Sequence, residues 1–171
     1  KQVAICIDFM YVQGLPFIHS ISRNICYRTV SPVPDRTKKT MLDELKRIFS
    51  IYTAQGFEVV EVHADSEFNC LVDDIRPIHL EPYPTDAHQG EIERSNRNLK
   101  ERIRCIVHSL PFKRLPRILV REIVAHANHN LNLFPAKEGI SPTLSPHTII
   151  TGLPCLDYNT LRGEFGSYVQ G

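Results

Sequence analysis

An α/β fold, with a five-stranded mixed sheet flanked by helices and a C-terminal extended arm, is what the sequence predicts. Three observations carry the prediction. Two short apolar runs, Val3–Ile7 and Phe57–Ala64, read as strands buried on both faces. A helical period over about 37–55 separates them, so the second strand lies parallel to the first. Two more helical periods, 88–109 and 116–133, follow with Pro at their boundaries.

The elements follow in order. Val3–Ile7 is closed by Asp8, and Tyr11–Gly14 is a turn. Pro16–Ser22 and Ile25–Val30 read as two further strands, which makes an antiparallel meander before Pro32 and Pro34 break the chain. Thr37 or Asp35 opens the first helix, whose apolar face is Met41, Leu42, Leu45, Ile48, Phe49 and Tyr52, and Gly56 stops it. The strand Phe57–Ala64 ends at Asp65, 69–76 reads as a short helix, and Pro77–Leu80 as an edge strand.

Asp86 is placed to cap the second helix, and Pro111 ends it near Ser109. Its apolar stripe is Ile92, Leu99, Ile103, Ile106 and Leu110. Pro116 suits the first turn of a third helix, with Ile118, Leu119, Ile123, Val124 and Leu131 on its buried side. From Gly139 onward Pro, Ser, Thr and Gly dominate, which reads as an arm, with Leu161–Val169 a small strand pair. There is no internal repeat or low-complexity tract.

Hydrophobic residues make up 42% of the 171, enough for a sizeable core, and no run approaches the roughly 18 apolar residues of a membrane span. Lys at the first position suggests a piece of a longer chain. Five widely spaced Cys without a C-x-x-C pair suggest reduced thiols, an intracellular setting and no zinc site. Net charge is only +1, but it is unevenly spread: 91–122 holds nine Lys/Arg against four acids, and 1–90 nine against twelve. A basic helical region beside an acidic sheet is compatible with phosphate on one side and metal on the other.

Asp8 and Asp65 each end a buried strand, and parallel neighbours bring such tips together at the carboxyl end of a sheet, where ligands bind. Glu93 lies near the start of the second helix, on one stripe with Arg97, Lys100 and Arg104. Three such acids are the ligand set of two-metal phosphoryl transfer, in which hard cations about 3.5–4 Å apart are held by carboxylate oxygens. The plainer readings are turn-capping acids and a solvated, salt-bridged helix face. Asp73, Asp74 and Asp86 read as caps or surface acids; His126 and His129, at i and i+3, read as structural.

Four passages resemble one family. Ile5-Cys6-Ile7-Asp8 is similar to its first acidic strand. Val62-His63-Ala64-Asp65-Ser66-Glu67-Phe68 resembles its apolar-x-x-Asp-x-Glu-Phe passage. His88-Gln89-Gly90-Glu91-Ile92-Glu93-Arg94 resembles Gly-x-x-Glu-Arg, which singles out Glu93 rather than Glu91. Asn132-Leu133-Phe134-Pro135, then Ser141–Pro146 to Thr151-Gly152, then Leu161-Arg162 to Phe165-Gly166 resemble its trailing segment. The family is the catalytic core of retroviral and retrotransposon integrases, the D,D-E class with a ribonuclease H-like fold, and the nearest likeness is to copia-type elements. The 27 residues between Asp65 and Glu93 are fewer than the family pattern, so the intervening segment is expected to be trimmed.

The resemblance implies a polynucleotidyl transferase and endonuclease with Asp8, Asp65 and Glu93 as catalytic and metal-binding residues for two Mg²⁺ or Mn²⁺. It implies Arg94, Arg97, Lys100 and Arg104 as DNA-contacting cations, and Glu67 and His63 as supporting groups around the ligands. The partners it implies are retroelement DNA ends, target DNA and further copies of the chain; the place is the nucleus and cytoplasmic particles. Residues 1–140 would form the core and 141–171 an extension. A ribonuclease H-like nuclease, or a non-catalytic integrase-derived scaffold, are the alternatives.

Overall fold

Residues 1–82, 89–112, 114–154, 157, 163, 165 and 166 are described by a computed structural model. Asp86, His88, Cys155 and most of the strand pair expected over 161–169 lie outside them. The first strand, β1 (Gln2–Val12), turns through Gln13 and Gly14 into β2 (Leu15–Ser22). Both turn residues have positive φ, 49° and 77°, the two-residue geometry that matches the twist of an antiparallel pair. β3 (Arg28–Pro32) continues the meander, three residues later than the sequence suggested, because Asn24 and Cys26 take left-handed φ and delay the pairing.

Helix α1 (Lys38–Ala54) is capped by the Thr37 hydroxyl, which accepts from the Thr40 N–H, and Asp35 in turn accepts from the Thr37 N–H at 3.0 Å. β4 (Glu58–Ala64) then runs parallel to β1, and β5 (His79–Pro82) runs parallel to β4. The sheet order is β3-β2-β1-β4-β5, so β1 is central. The expected helix over 69–76 is instead a 3-10 turn, Ser66–Leu71, opened by the Asp65 side chain, because that carboxylate captures the Ser66 N–H directly after the strand.

Helices α2 (Gln89–Ser109) and α3 (Arg117–Leu133) cover the face of the sheet opposite α1. Ile5 and Ile7 of β1 join Leu45, Ile48 and Tyr52 on one side, while Met10 and Val12 join Leu99, Ile103, Val120, Ile123 and Val124 on the other. Pro116 is the cap of α3 rather than its first residue. The α3 core face keeps the expected Ile123 and Val124 and adds Val120, Ala127 and Leu133, whereas Ile118 is 65% exposed. Ile118 lies in the first turn of the helix. The arm contains a short helix, α4 (Pro146–Thr151), capped by Ser145 and stopped at Gly152 in the left-handed region.

Candidate active site

Asp8 does not end its strand. It sits mid-strand opposite His19 of β2, and pairing with β2 carries β1 on to Val12. On the other side Ile7 is in register with Ala64, so Asp65, the next residue after β4, comes up beside Asp8. Side chains alternate, so Cys6, Asp8 and Met10 point toward α2. Ile92 at the start of α2 packs with Cys6, and Leu99 and Ile103 pack with Met10. That docking sets the helix over the strand and turns Glu93 and Asn96, one turn apart, to the same flank.

The electrostatics report the convergence. Burial pushes the Asp8 carboxyl above the usual carboxylate range, hydrogen bonds from the Phe9 N–H and Asn96 pull it back, and the charges of Asp65 and Glu93 push it up again. Three acids from β1, the end of β4 and α2 therefore share one field. None of the three forms an ion pair among the described residues. Asp8 is half-buried; Asp65 and Glu93 are exposed. Converging hard oxygen donors with no ion-pair partner among the described residues fit divalent cations. Among the described residues, the three do not form a group whose ligand atoms all lie within 4.8 Å of one another.

Glu91 faces elsewhere. Its Oε2 lies 3.3 Å from the Arg23 Nε and accepts from the Cys6 thiol at 3.7 Å. Arg94, next to Glu93 and so about 100° round the helix from that stripe, meets Glu138 at 2.5 Å and lines a cleft of about 880 Å³ with Arg23, Arg28, Arg102 and Lys137 on the other flank of α2. Lys100 and Arg104 do stay together, lining a smaller hollow with Tyr11, Gln13 and His108 at the β1–β2 turn, and Arg97 is exposed. Glu67 pairs with Arg36, which stacks 4.5 Å over Phe9, on the sheet face away from Asp8. His63 is buried, with Nε2 3.0 Å from Glu61 and Nδ1 4.0 Å from Glu81, rather than beside Asp65. Glu61, His63 and Glu81 are the one group of three metal-capable side chains within 4.8 Å among the described residues.

Four polar residues of the site escape a reading by periodicity. His19, Ser95 and Asn96 are buried, and Arg28 reaches them from β3. The Asn96 Nδ2 donates to Asp8 at 2.8 Å, and the His19 Nδ1 lies 2.6 Å from the Asn96 Oδ1. Burial pushes the His19 imidazole down to about 4, so it is neutral at physiological pH. A sequence signal existed. Ser95 and Asn96 fall at i+3 and i+4 from Ile92 and before Leu99, polar residues inside an apolar stripe.

The architecture as a whole matches that of the catalytic core domain of BIV integrase, with a TM-score of 0.62 over 87% of this chain and 93% of that one. The chain has the ribonuclease H-like fold of an integrase catalytic core. Sequence identity to that structure is 17%, so the likeness is one of fold. No family model and no curated protein sequence matches the chain. The four described Cys, at 6, 26, 70 and 105, form no disulfide with one another. No helix among the described residues is long and apolar enough to cross a membrane.

Proposed function

We propose that this chain is the catalytic core of a retroelement integrase, copia-type by its motifs, performing metal-dependent polynucleotidyl transfer on DNA. The observation that carries the reading is the shared field of Asp8, Asp65 and Glu93, brought together from three elements. These residues would hold two Mg²⁺ or Mn²⁺. Bound there, the ions would activate a water or 3′-hydroxyl for in-line attack at phosphorus and stabilise the leaving oxygen. The chain's own contribution is to hold Asp8 fixed through Asn96 and to offer Arg97, Lys100 and Arg104, further along the helix that carries Glu93, to phosphates of the DNA. Retroelement ends, target DNA and further copies of the chain are the proposed partners, and the nucleus, with cytoplasmic particles, the proposed place of action.

The test is a Mn²⁺-dependent strand-joining or disintegration assay on oligonucleotides. Asp65→Asn and Glu93→Gln should each lower the rate by about 10³-fold or more, since each removes a ligand that supports several kcal/mol of transition-state stabilisation. Undiminished activity in either variant rejects the assignment. Products with free ends only, or cleavage confined to RNA–DNA hybrids, assign the same acids to a nuclease instead.

The cation stripe yields a separate expectation. Arg97→Ala and Lys100→Ala should each weaken duplex binding and lower the salt-dependence slope by about 0.9 for each phosphate no longer neutralised. Arg94→Ala should leave the slope unchanged, because Arg94 is engaged by Glu138 on the other flank. A filter-binding or anisotropy titration across salt concentrations reads all three.

A further inference from the structure

A four-link hydrogen-bonded chain runs from β3 to the carboxylate of Asp8. The Arg28 Nε donates to the Ser95 Oγ at 3.1 Å, and Ser95 Oγ lies 3.4 Å from the His19 Nε2. The His19 Nδ1 meets the Asn96 Oδ1 at 2.6 Å, and the Asn96 Nδ2 reaches Asp8 at 2.8 Å. Its direction is settled from the Asp8 end. A guanidinium only donates, so the Ser95 hydroxyl accepts from Arg28 and keeps its own hydrogen and a second lone pair for His19 Nε2. A carboxylate only accepts, so Asn96 must present its NH₂ to Asp8 and its oxygen to His19. The ring between them therefore carries its proton on Nδ1.

We propose that His19 is a positioning residue for Asp8: by donating from Nδ1 to Asn96 it locks the Asn96 amide with its NH₂ toward the carboxylate, leaving the rest of the Asp8 lone pairs for a divalent ion. The inference rests on the functional reading above. His19 is 0% exposed and Ser95 1%, so a leucine filling the same buried space leaves the Asn96 oxygen without its donor. A released amide could turn its oxygen toward Asp8, where two acceptors repel, and the carboxylate would then rotate away from the shared field. His19 touches neither substrate nor ion; it acts through Asn96.

The test uses the full chain and two readouts. Without metal, side-chain ¹⁵N NMR should show the His19 ring protonated at Nδ1 and bare at Nε2; an Nε2–H tautomer overturns the proposal. In calorimetric titration with Mn²⁺, His19→Leu should weaken binding by about 10–100-fold, the range found when outer partners of metal ligands are removed. His19→Gln, which keeps one donor and one acceptor, should recover most of it. Wild-type affinity in His19→Leu overturns the proposal. Should His19→Leu not fold, an unrescued loss in folded His19→Gln overturns it as well. A wild-type chain that takes up no Mn²⁺ overturns the functional reading, while the tautomer still decides whether His19 orients Asn96.

Discussion

Asp8→Asn is expected to act in opposite directions on catalysis and on stability. Strand joining in Mn²⁺ should fall by about 10³-fold or more, because an amide oxygen is a poor substitute for a shared carboxylate ligand. In EDTA the same variant should melt higher than wild type. The Asp8 carboxyl titrates above its ordinary value of 3.8, chiefly because burial disfavours its charge, with Asp65 and Glu93 adding repulsion. The folded chain thus binds that proton more tightly than the unfolded one. Unfolding free energy therefore falls as pH rises from the unfolded value through the folded one, and at neutral pH the charge is a net cost. The substituted amide removes the charge and keeps an oxygen for the Asn96 NH₂. The advantage of the variant should shrink as pH is lowered toward 3.8.

Metal should reverse the order. An ion present at 100 times its dissociation constant stabilises the folded state by about 2.7 kcal/mol, and only wild type should gain this. In a chain of this size, each kcal/mol moves Tm by about 2–4 °C. Thermal melts of both proteins in EDTA and in Mn²⁺ should therefore cross. A variant that melts lower in EDTA, or equal Mn²⁺ stabilisation of the two, contradicts the account of Asp8 as a metal ligand held in a repulsive field.

Leu99→Ala should be the most damaging of the core truncations on α2, at about 2–5 kcal/mol. Leu99 is fully buried where α2 meets β1, β2 and α3, among Met10, Phe17, Ile103, Val120, Ile123 and Val124. Four elements close around it, so the cavity has little room to collapse. The denaturant midpoint should drop with m unchanged. Because α2 also carries Glu93 and Asn96, loosening its seat should weaken Mn²⁺ binding without touching a ligand. Ile118→Ala, 65% exposed one helix away, should change stability by no more than about 0.5 kcal/mol.

Ile118 also shows where a linear reading reaches its limit. Its spacing with Leu119 and Ile123 suits an apolar face, yet only Ile123 of the three is fully buried, with Val120, Val124 and Ala127, and Ile118 faces out. Periodicity constrains which residues share a side, not which side the sheet receives when several are apolar. Asp8 shows a second limit. A charge after an apolar run marks a strand end if the strand stands alone, but pairing with β2 continues β1 by four residues and makes Asp8 an interior position.

The order of elements, the parallel pairing of the two apolar strands and the candidacy of Asp8, Asp65 and Glu93 were all legible in the chain itself. Each follows from short-range information: period, punctuation by Gly and Pro, and acids at the boundaries of buried segments. What only the tertiary structure decided is the partner of each polar group. Arg94 goes to Glu138, Glu67 goes to Arg36, and Asn96 goes to Asp8 with His19 behind it. Those choices depend on strand register and on how α2 is seated. Both are set by residues far apart along the chain, such as Asp8 and Asn96, separated by 88 positions, and no local pattern encodes such a meeting.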